Sequence, residues 1–239
     1  MRGCSQGNES KLRMAAPEQN ADRLPLALLL LTAVTGVVDA VSVLGCGVFT
    51  ANMTGNVVFL GFAVAGAQGF SIPRALTSLL AFLVGAMIGG RLSVAMSAAR
   101  RRWLLTIAVC EAGLLFVAAI VSIGLATSPI QLYAVIVLMA VAMGLRNSTV
   151  RKLAVPDLTT TVLTLTLTGL AADSSIAGGE NTRLWRRFGS VLAMFAGAVI
   201  GALLQKHGMA LPLLLSGVSV LVVTLLYAEN LEKRVPHQP

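Results

Sequence analysis

Two polar segments interrupt an otherwise apolar chain at corresponding places in its two halves. The first covers 39–61 and contains TANMTGN at 50–56, and the second covers 147–169 and contains DLTTTVLTLTLT at 157–168. Lipid cannot hydrogen-bond to Asn, Thr or unpaired backbone groups, so in a membrane protein such segments lie inside protein or along a cavity. If the chain lies in a membrane, they are the first place to look for function.

The composition requires a membrane. Residues of the AVILMFWYC set make up 56% of the chain, charged residues make up 12%, and the mean hydropathy is +0.83. A water-soluble surface around a core needs more polar residues than that. Apolar runs that approach the length needed to cross ~30 Å of hydrocarbon lie at 24–44, 75–97, 103–126, 129–146, 187–205 and 209–228.

The net charge of +8 indicates membrane lipids rather than nucleic acid as the partner, because the basic residues cluster at the ends of the apolar runs. The residues at 1–23 are predicted to form a disordered cytoplasmic tail, and 229–239 a second cytoplasmic tail. The three cysteines are scattered and predict neither a disulfide framework nor a metal site.

The chain resembles itself at a long offset. Gly36, Asp39 and Gly61 correspond to Gly144, Asn147 and Gly169 at an offset of 108, and GAMIGG at 85–90 corresponds to GAVIGA at 197–202 at an offset of 112. A short insertion reconciles the two offsets. We predict two repeated halves within one transmembrane domain at 24–228, the first at about 24–126 and the second at about 129–228.

The positive-inside rule decides whether the polar segments cross the bilayer. If both cross, 8 of the 18 Lys and Arg residues lie outside, whereas if neither crosses only Arg74 and Lys206 do. The sequence therefore predicts an all-α polytopic membrane protein with six crossing helices and two broken or re-entrant polar segments. Because each half crosses three times, the second half is inverted relative to the first, which makes this an inverted repeat. The predicted location is a bacterial inner membrane, with both termini on the cytoplasmic side.

Asp39 is the first candidate site residue. It shares a helix face with Thr35 and Ser42 and is expected ~24 Å along a straight helix from Arg23, in the outer half of the membrane. An acid at that depth is costly unless it is paired, hydrated or protonated. A cation or proton site is one interpretation, and a cap on the next helical segment or a place near the outer interface is the other.

The polar segments supply further candidate ligand-binding groups. The first offers the amides of Asn52 and Asn56 and the hydroxyl of Thr54, which bind a polar solute or cation or, alternatively, satisfy their own broken helix. The second has Asn147 at the position of Asp39 and a Thr ladder that includes Thr160 and Thr164. Thr also bonds its own i−4 carbonyl in membrane helices, so a structural ladder is the alternative to a pathway.

Arg91 and Glu111 lie on either side of the basic turn at 100–102, at similar distances along the chain. Adjacent antiparallel helices would place them at similar depth, so we predict a buried ion pair, with gating or proton coupling as a further role. The GxxxG spacings at Gly85 and Gly89 and at Gly197 and Gly201 predict close helix packing between the halves, and a homodimer seam is the alternative.

Enzymatic activity is not expected. The two histidines lie at 207 and 237, and the chain contains no HExxH, no GxSxG and no phosphate-binding Gly-Lys-Ser/Thr loop. No cofactor or metal is predicted.

The motifs GxxDA at 36–40, FTANMTGN at 49–56 and MGLRN at 143–147, followed by the Thr-rich segment at 159–168, resemble the YoaK family of bacterial membrane proteins. The resemblance covers about 24–228. The sequence segment PDLTTTVLTLTLTGLAADS is similar to that of actinobacterial members. The family pattern has a Thr-Gly pair in the second segment, where this chain has Thr164 and Leu165. The resemblance implies membrane location and fold, and brings no substrate.

Two functions from different classes fit these observations. The first is a secondary transporter or permease for a small molecule or ion, with a midplane site at the polar segments. The second is a membrane protein that does not transport, and instead binds a lipid, small molecule or partner helix as a scaffold or regulator.

Overall fold

The computed structural model describes residues 23–123, 128–153, 163–179 and 184–232. Six long helices and two short ones account for the regular structure of these ranges, apart from a single 3-10 turn at Ser175–Ala177. The long helices are α1 (Arg23–Cys46), α3 (Ile72–Ala95), α4 (Arg100–Ser122), α5 (Pro129–Leu153), α7 (Leu184–Gln205) and α8 (Ala210–Glu232), and the short helices are α2 (Met53–Val64) and α6 (Leu163–Ala172).

All six long helices are long and apolar enough to cross a membrane. This confirms the predicted polytopic all-α fold, and the chain is a multi-pass membrane protein. The surface agrees, since many large apolar side chains point outward, among them Leu80 (61% exposed), Met87 (60%) and Phe195 (66%). Apolar patches of this extent are found where lipid, rather than water, covers the protein.

The fourth predicted span, 129–146, ends before the helix that contains it. The apolar run stops at about 146, but α5 continues to Leu153 and so includes Arg146, Asn147 and Ser148. The arginine is 2% exposed, and therefore is not a loop residue as the charge pattern indicated. Hydropathy alone ends a span at its first charged residue, whereas a helix continues when that residue finds a buried partner.

The most extensive helix contacts join the two halves: α3 packs along α5, and α1 packs along α7. Helix α4 packs against α5 and α8, and α1 also contacts α8, whereas the consecutive helices α3 and α4 scarcely touch. The core between them is closely packed and apolar, with Val38, Leu115, Met139 and Leu213 fully buried.

The GxxxG glycines lie in these contacts. A Cβ added at Gly85 would collide with the backbone carbonyl of Val141, and one at Gly197 would collide with that of Ala33. The next glycine of each motif, Gly89 or Gly201, approaches the partner helix one turn further on. The predicted packing between the halves is therefore confirmed, and it depends on the absence of side chains at these positions.

Candidate functional site

The first polar segment folds back into the helix bundle. Helix α1 ends at Cys46, Gly47 takes the left-handed conformation at φ 72°, and the chain then returns along α1. The backbone N–H groups of Thr50 and Ala51 donate to Asp39 Oδ1 at 3.2 and 2.8 Å. Because Asp39 lies ~10 Å before the end of α1, the segment re-enters the protein by about that depth.

Helix α2 starts at this inner point. Asn52 is its N-cap and accepts a hydrogen bond from the Gly55 N–H at 3.3 Å. The helix has 12 residues and extends ~18 Å, too short to cross the bilayer. It contacts α3, the next helix in the chain.

Asn56 holds this re-entrant segment in place. Its Nδ2 donates to the Phe49 carbonyl at 2.7 Å and to Ser78 Oγ at 3.1 Å, and its Oδ1 accepts from the Phe49 N–H at 2.9 Å. The Asn56 side chain is fully buried and lines neither of the two cavities described below. Of the two interpretations made from the sequence, the structure supports the one in which Asn56 satisfies its own broken helix.

A cavity of about 380 Å³ lies beside Asp39, and we call it the acidic cavity. It is lined by Asp39, Asn52 and Thr54 of the first half and by Thr164 and Met194 of the second, among others. The structure thus brings together four of the predicted ligand-binding residues. They come from α1, from α2 with its cap, and from the start of α6.

A second cavity, of about 920 Å³, we call the basic cavity. Asn52 and Thr54 line it too, together with Asn147, Ser148, Arg151 and Lys152 of α5. Asn147 donates from Nδ2 to the Met143 carbonyl at 2.9 Å and lies on this cavity rather than beside Asp39. The start of α2 therefore borders both cavities.

Of the second polar segment, 147–153 lie in α5 and 163–169 lie in α6. Thr164 is exposed to the acidic cavity in the first turn of α6, and Thr168 donates to the Thr164 carbonyl at 2.9 Å. Thr166 is buried. The predicted candidate Thr160 lies outside the described residues. Of the predicted tails at 1–23 and 229–239, Arg23 begins α1 and 229–232 belong to α8, which corrects those bounds, and the remaining tail residues lie outside the described residues.

The predicted ion pair between Arg91 and Glu111 is wrong. Glu111 is buried and forms an ion pair with Arg146 of α5, whereas Arg91 is exposed. The prediction assumed that consecutive helices pack together, but α3 packs on α5 and barely contacts α4. Arg146 also donates from Nη1 to Thr35 Oγ1 at 3.0 Å and to the Leu31 carbonyl at 3.1 Å, and so joins α1, α4 and α5.

Sequence reasoning therefore missed Arg146 as a structural residue. The available signal was the MGLRN motif at 143–147, in which a lone arginine follows an apolar helix and precedes the amide that matches Asp39. The positive-inside rule alone poorly explains an arginine beside Asn147, the residue that corresponds to Asp39. Within the described residues, no group of three or more His, Cys, Asp or Glu side chains could hold a metal ion.

Comparison with known proteins identifies the family of this chain. The family described as "Protein of unknown function (DUF1275)" matches residues 27–226, which include every helix that forms the two cavities. The chain belongs to this family. A relative, the UPF0700 transmembrane protein YoaK of Bacillus subtilis (strain 168), is 38% identical to this chain over 154 residues. That alignment covers 63% of this chain and 66% of the relative, just under two thirds of its length.

No solved structure matches the chain significantly. The family assignment confirms the resemblance found in the motifs at 36–40, 49–56 and 143–147. These motifs hold Asp39, the start of α2 and Asn147, and these residues line the two cavities.

Proposed function

We propose that this DUF1275 family member is a secondary transporter or permease for a small molecule or ion, built as an inverted repeat. The observation that carries the proposal is the position of the α2 start, where Asn52 and Thr54 border both the acidic and the basic cavity. A short helix that begins inside the bundle, between two polar cavities, is the arrangement in which broken-helix transporters bind their substrates.

The inverted repeat is supported by matching contacts. Gly36 of α1 faces Met194 and Ala198 of α7, and Gly144 of α5 faces Phe82 and Ala86 of α3. The two glycines differ by 108 and their partners by 112, the two offsets found in the sequence. Each half then contributes three crossing helices, and an odd number places the second half upside down in the membrane.

The same symmetry relates the two cavities. Asp39 and Met194 line the acidic cavity, and their counterparts Asn147 and Phe82 line the basic one. Rocking of one half against the other about such equivalent sites is the usual basis of alternating access. The ligand site we propose therefore consists of Asp39, Asn52, Thr54, Asn147 and Thr164.

The topology has a direct test in single cysteines placed in a cysteine-free background. If both termini are cytoplasmic, Gln68→Cys lies outside the inner membrane, while Ser97→Cys and Ala177→Cys lie on its cytoplasmic side. A membrane-impermeant maleimide applied to intact cells should label Gln68→Cys at least about tenfold more than the other two, which react fully only after permeabilisation. Labelling of Ser97→Cys from outside would contradict the re-entrant arrangement, because crossing by α2 reverses the side of that turn.

Transport is tested in two steps. Purified protein is first screened for thermal stabilisation against small metabolites grouped by charge, and each hit is then measured for counterflow in liposomes. Thr54→Val should weaken binding of a hit by about 2- to 10-fold, the effect of one lost hydrogen bond. Thr168→Val is the matched control, because Thr168 lies on α6 outside both cavities.

Saturable counterflow that Thr54→Val reduces and Thr168→Val does not would support the proposal. Saturable binding that depends on Thr54 but gives no counterflow would contradict transport. That result would instead support the second hypothesis, a membrane protein that binds a ligand or partner without moving it.

A further inference from the structure

One carboxylate oxygen at the candidate site is buried without a hydrogen-bond partner. Asp39 is 4% exposed, and its Oδ1 accepts the Thr50 and Ala51 N–H groups, while Oδ2 has no partner among the described residues. An unpartnered carboxylate oxygen is costly away from water, and such groups in membrane proteins mark ion or proton sites. The side chain lines the acidic cavity, so a ligand there can reach it.

The chemistry around Oδ2 indicates the kind of ligand. The acidic cavity also presents the hydroxyls of Thr54 and Thr164 and the amide of Asn52, and oxygen groups of this type suit hard cations. The described residues of this lining include neither Cys nor His, so soft transition metals are disfavoured there. Asp39 is the one ionisable residue among the described residues that line this cavity, while Arg151 and Lys152 line the basic cavity.

Among the described residues that line the acidic cavity, the single acid Asp39 also indicates the charge of the ligand. One carboxylate balances one positive charge, whereas calcium and magnesium sites recruit additional carboxylates or substrate phosphates. The equivalent position of the other half holds Asn147, a neutral amide on a cavity with basic residues. The two halves therefore differ in charge at matching positions, since Asp39 is an acid and its counterpart Asn147 is a neutral amide.

We propose that the acidic cavity binds a monovalent cation between Asp39 Oδ2 and the hydroxyls of Thr54 and Thr164, with the remaining coordination supplied by water or substrate. The cation would connect the two halves, because Asp39 and Thr54 belong to the first and Thr164 to the second. Its role as a coupling ion rests on the proposed transport function, but its binding can be measured without transport.

The geometry also links the cation to the start of α2. Asp39 holds the re-entrant segment through Oδ1 and would hold the cation through Oδ2, so both contacts share one side chain. Filling the cation site would therefore stabilise the position of Asn52 and Thr54, the residues that border both cavities. Such a link is what cation coupling of a substrate site requires.

The experiment measures thermal unfolding of the purified full-length protein in detergent, at constant ionic strength and pH. Lithium, sodium, potassium and ammonium chlorides are each titrated against N-methyl-D-glucamine chloride, whose cation is too large for the same contacts. We expect saturable stabilisation by at least one small cation. Asp39→Asn should weaken its apparent affinity about tenfold or more, since a charged partner is lost, yet it keeps the Oδ1 acceptor for Thr50 and Ala51.

Thr164→Val is the second variant, because it leaves the Asp39 hydrogen bonds untouched and should weaken the same cation by about 2- to 10-fold. Glu229→Gln is the matched control, an exposed acid far along α8, and should leave the affinity unchanged. Equal stability in all five salts, or cation stabilisation that survives both Asp39→Asn and Thr164→Val, would overturn the proposal. Counterflow of a metabolite without any cation effect would overturn the cation site alone and leave transport standing.

Discussion

Adding one methyl group at Gly85 or Gly197 is expected to destabilise the folded protein severely. In each case the new Cβ would collide with a backbone carbonyl of the opposite half, that of Val141 or Ala33. A backbone atom in a packed helix cannot move aside as a flexible side chain can, so the two helices must separate. Overpacking of this kind costs about 1–3 kcal/mol or more, a large share of the 5–15 kcal/mol that ordinarily stabilises a domain.

The measurement is the monodisperse fraction and melting temperature of Gly85→Ala and Gly197→Ala by size-exclusion chromatography with fluorescence detection. Gly90→Ala and Gly113→Ala are the controls, since a Cβ there meets no atom within 4 Å. These controls should keep the wild-type profile, because Ala is a better helix former than Gly. Wild-type stability in both Gly85→Ala and Gly197→Ala would show that the halves do not pack through these helices.

Hydropathy and the spacing of small residues explain why so much of the fold could be predicted. Six apolar runs and two polar interruptions define the number of helices, and the offsets of 108 and 112 identify which glycines play the same part. Small residues at a helix interface leave a direct mark in the sequence, because no other residue allows backbones so close. The glycine spacing predicted close packing between the halves, but the structure is needed to show that α3 packs on α5 and α7 on α1.

The candidate site was only partly predictable. Asp39, Asn52, Thr54 and Thr164 were expected to line a common site and do line the acidic cavity. Asn56 was proposed as a ligand, but it bonds Phe49 and Ser78, and residue type cannot distinguish an amide that binds solute from one that fixes a loop. Helix α2 is apolar on most sides, so its sequence does not indicate which of its residues face a cavity and which face the protein.

The ion pair shows the same limit more sharply. Glu111 had to find a cation in the membrane, and Arg91 was the nearest one expected on a neighbouring helix. The true partner, Arg146, lies on α5, which also packs against α4. Both candidates lie on helices consecutive with α4, Arg91 on α3 and Arg146 on α5, so chain order cannot choose between them. The choice follows from packing, because α4 packs against α5 and scarcely touches α3.

Replacing Arg146 by Met is therefore expected to destabilise the folded protein severely, while Arg91→Met has little effect. Loss of Arg146 leaves the Glu111 carboxylate buried and without its counter-charge. Breaking a buried ion pair in this way costs about 3–5 kcal/mol. Arg91 is exposed, and replacing it leaves no buried charge without a partner. Arg91→Met is therefore the matched control for Arg146→Met.

The double variant Glu111→Gln with Arg146→Met separates pairing from other contributions. If the cost of Arg146→Met arises from the stranded carboxylate, removal of that charge should recover a large part of the lost melting temperature. Full recovery is not expected, because Arg146 also donates to Thr35 and to the Leu31 carbonyl. Additive losses in the double variant would contradict the pair, and recovery of Glu111→Gln by Arg91→Met instead would restore the partner assigned from the sequence. Recovery by Arg91→Met would mean that α3, rather than α5, lies beside α4, because the buried Glu111 would then pair with the cation of α3.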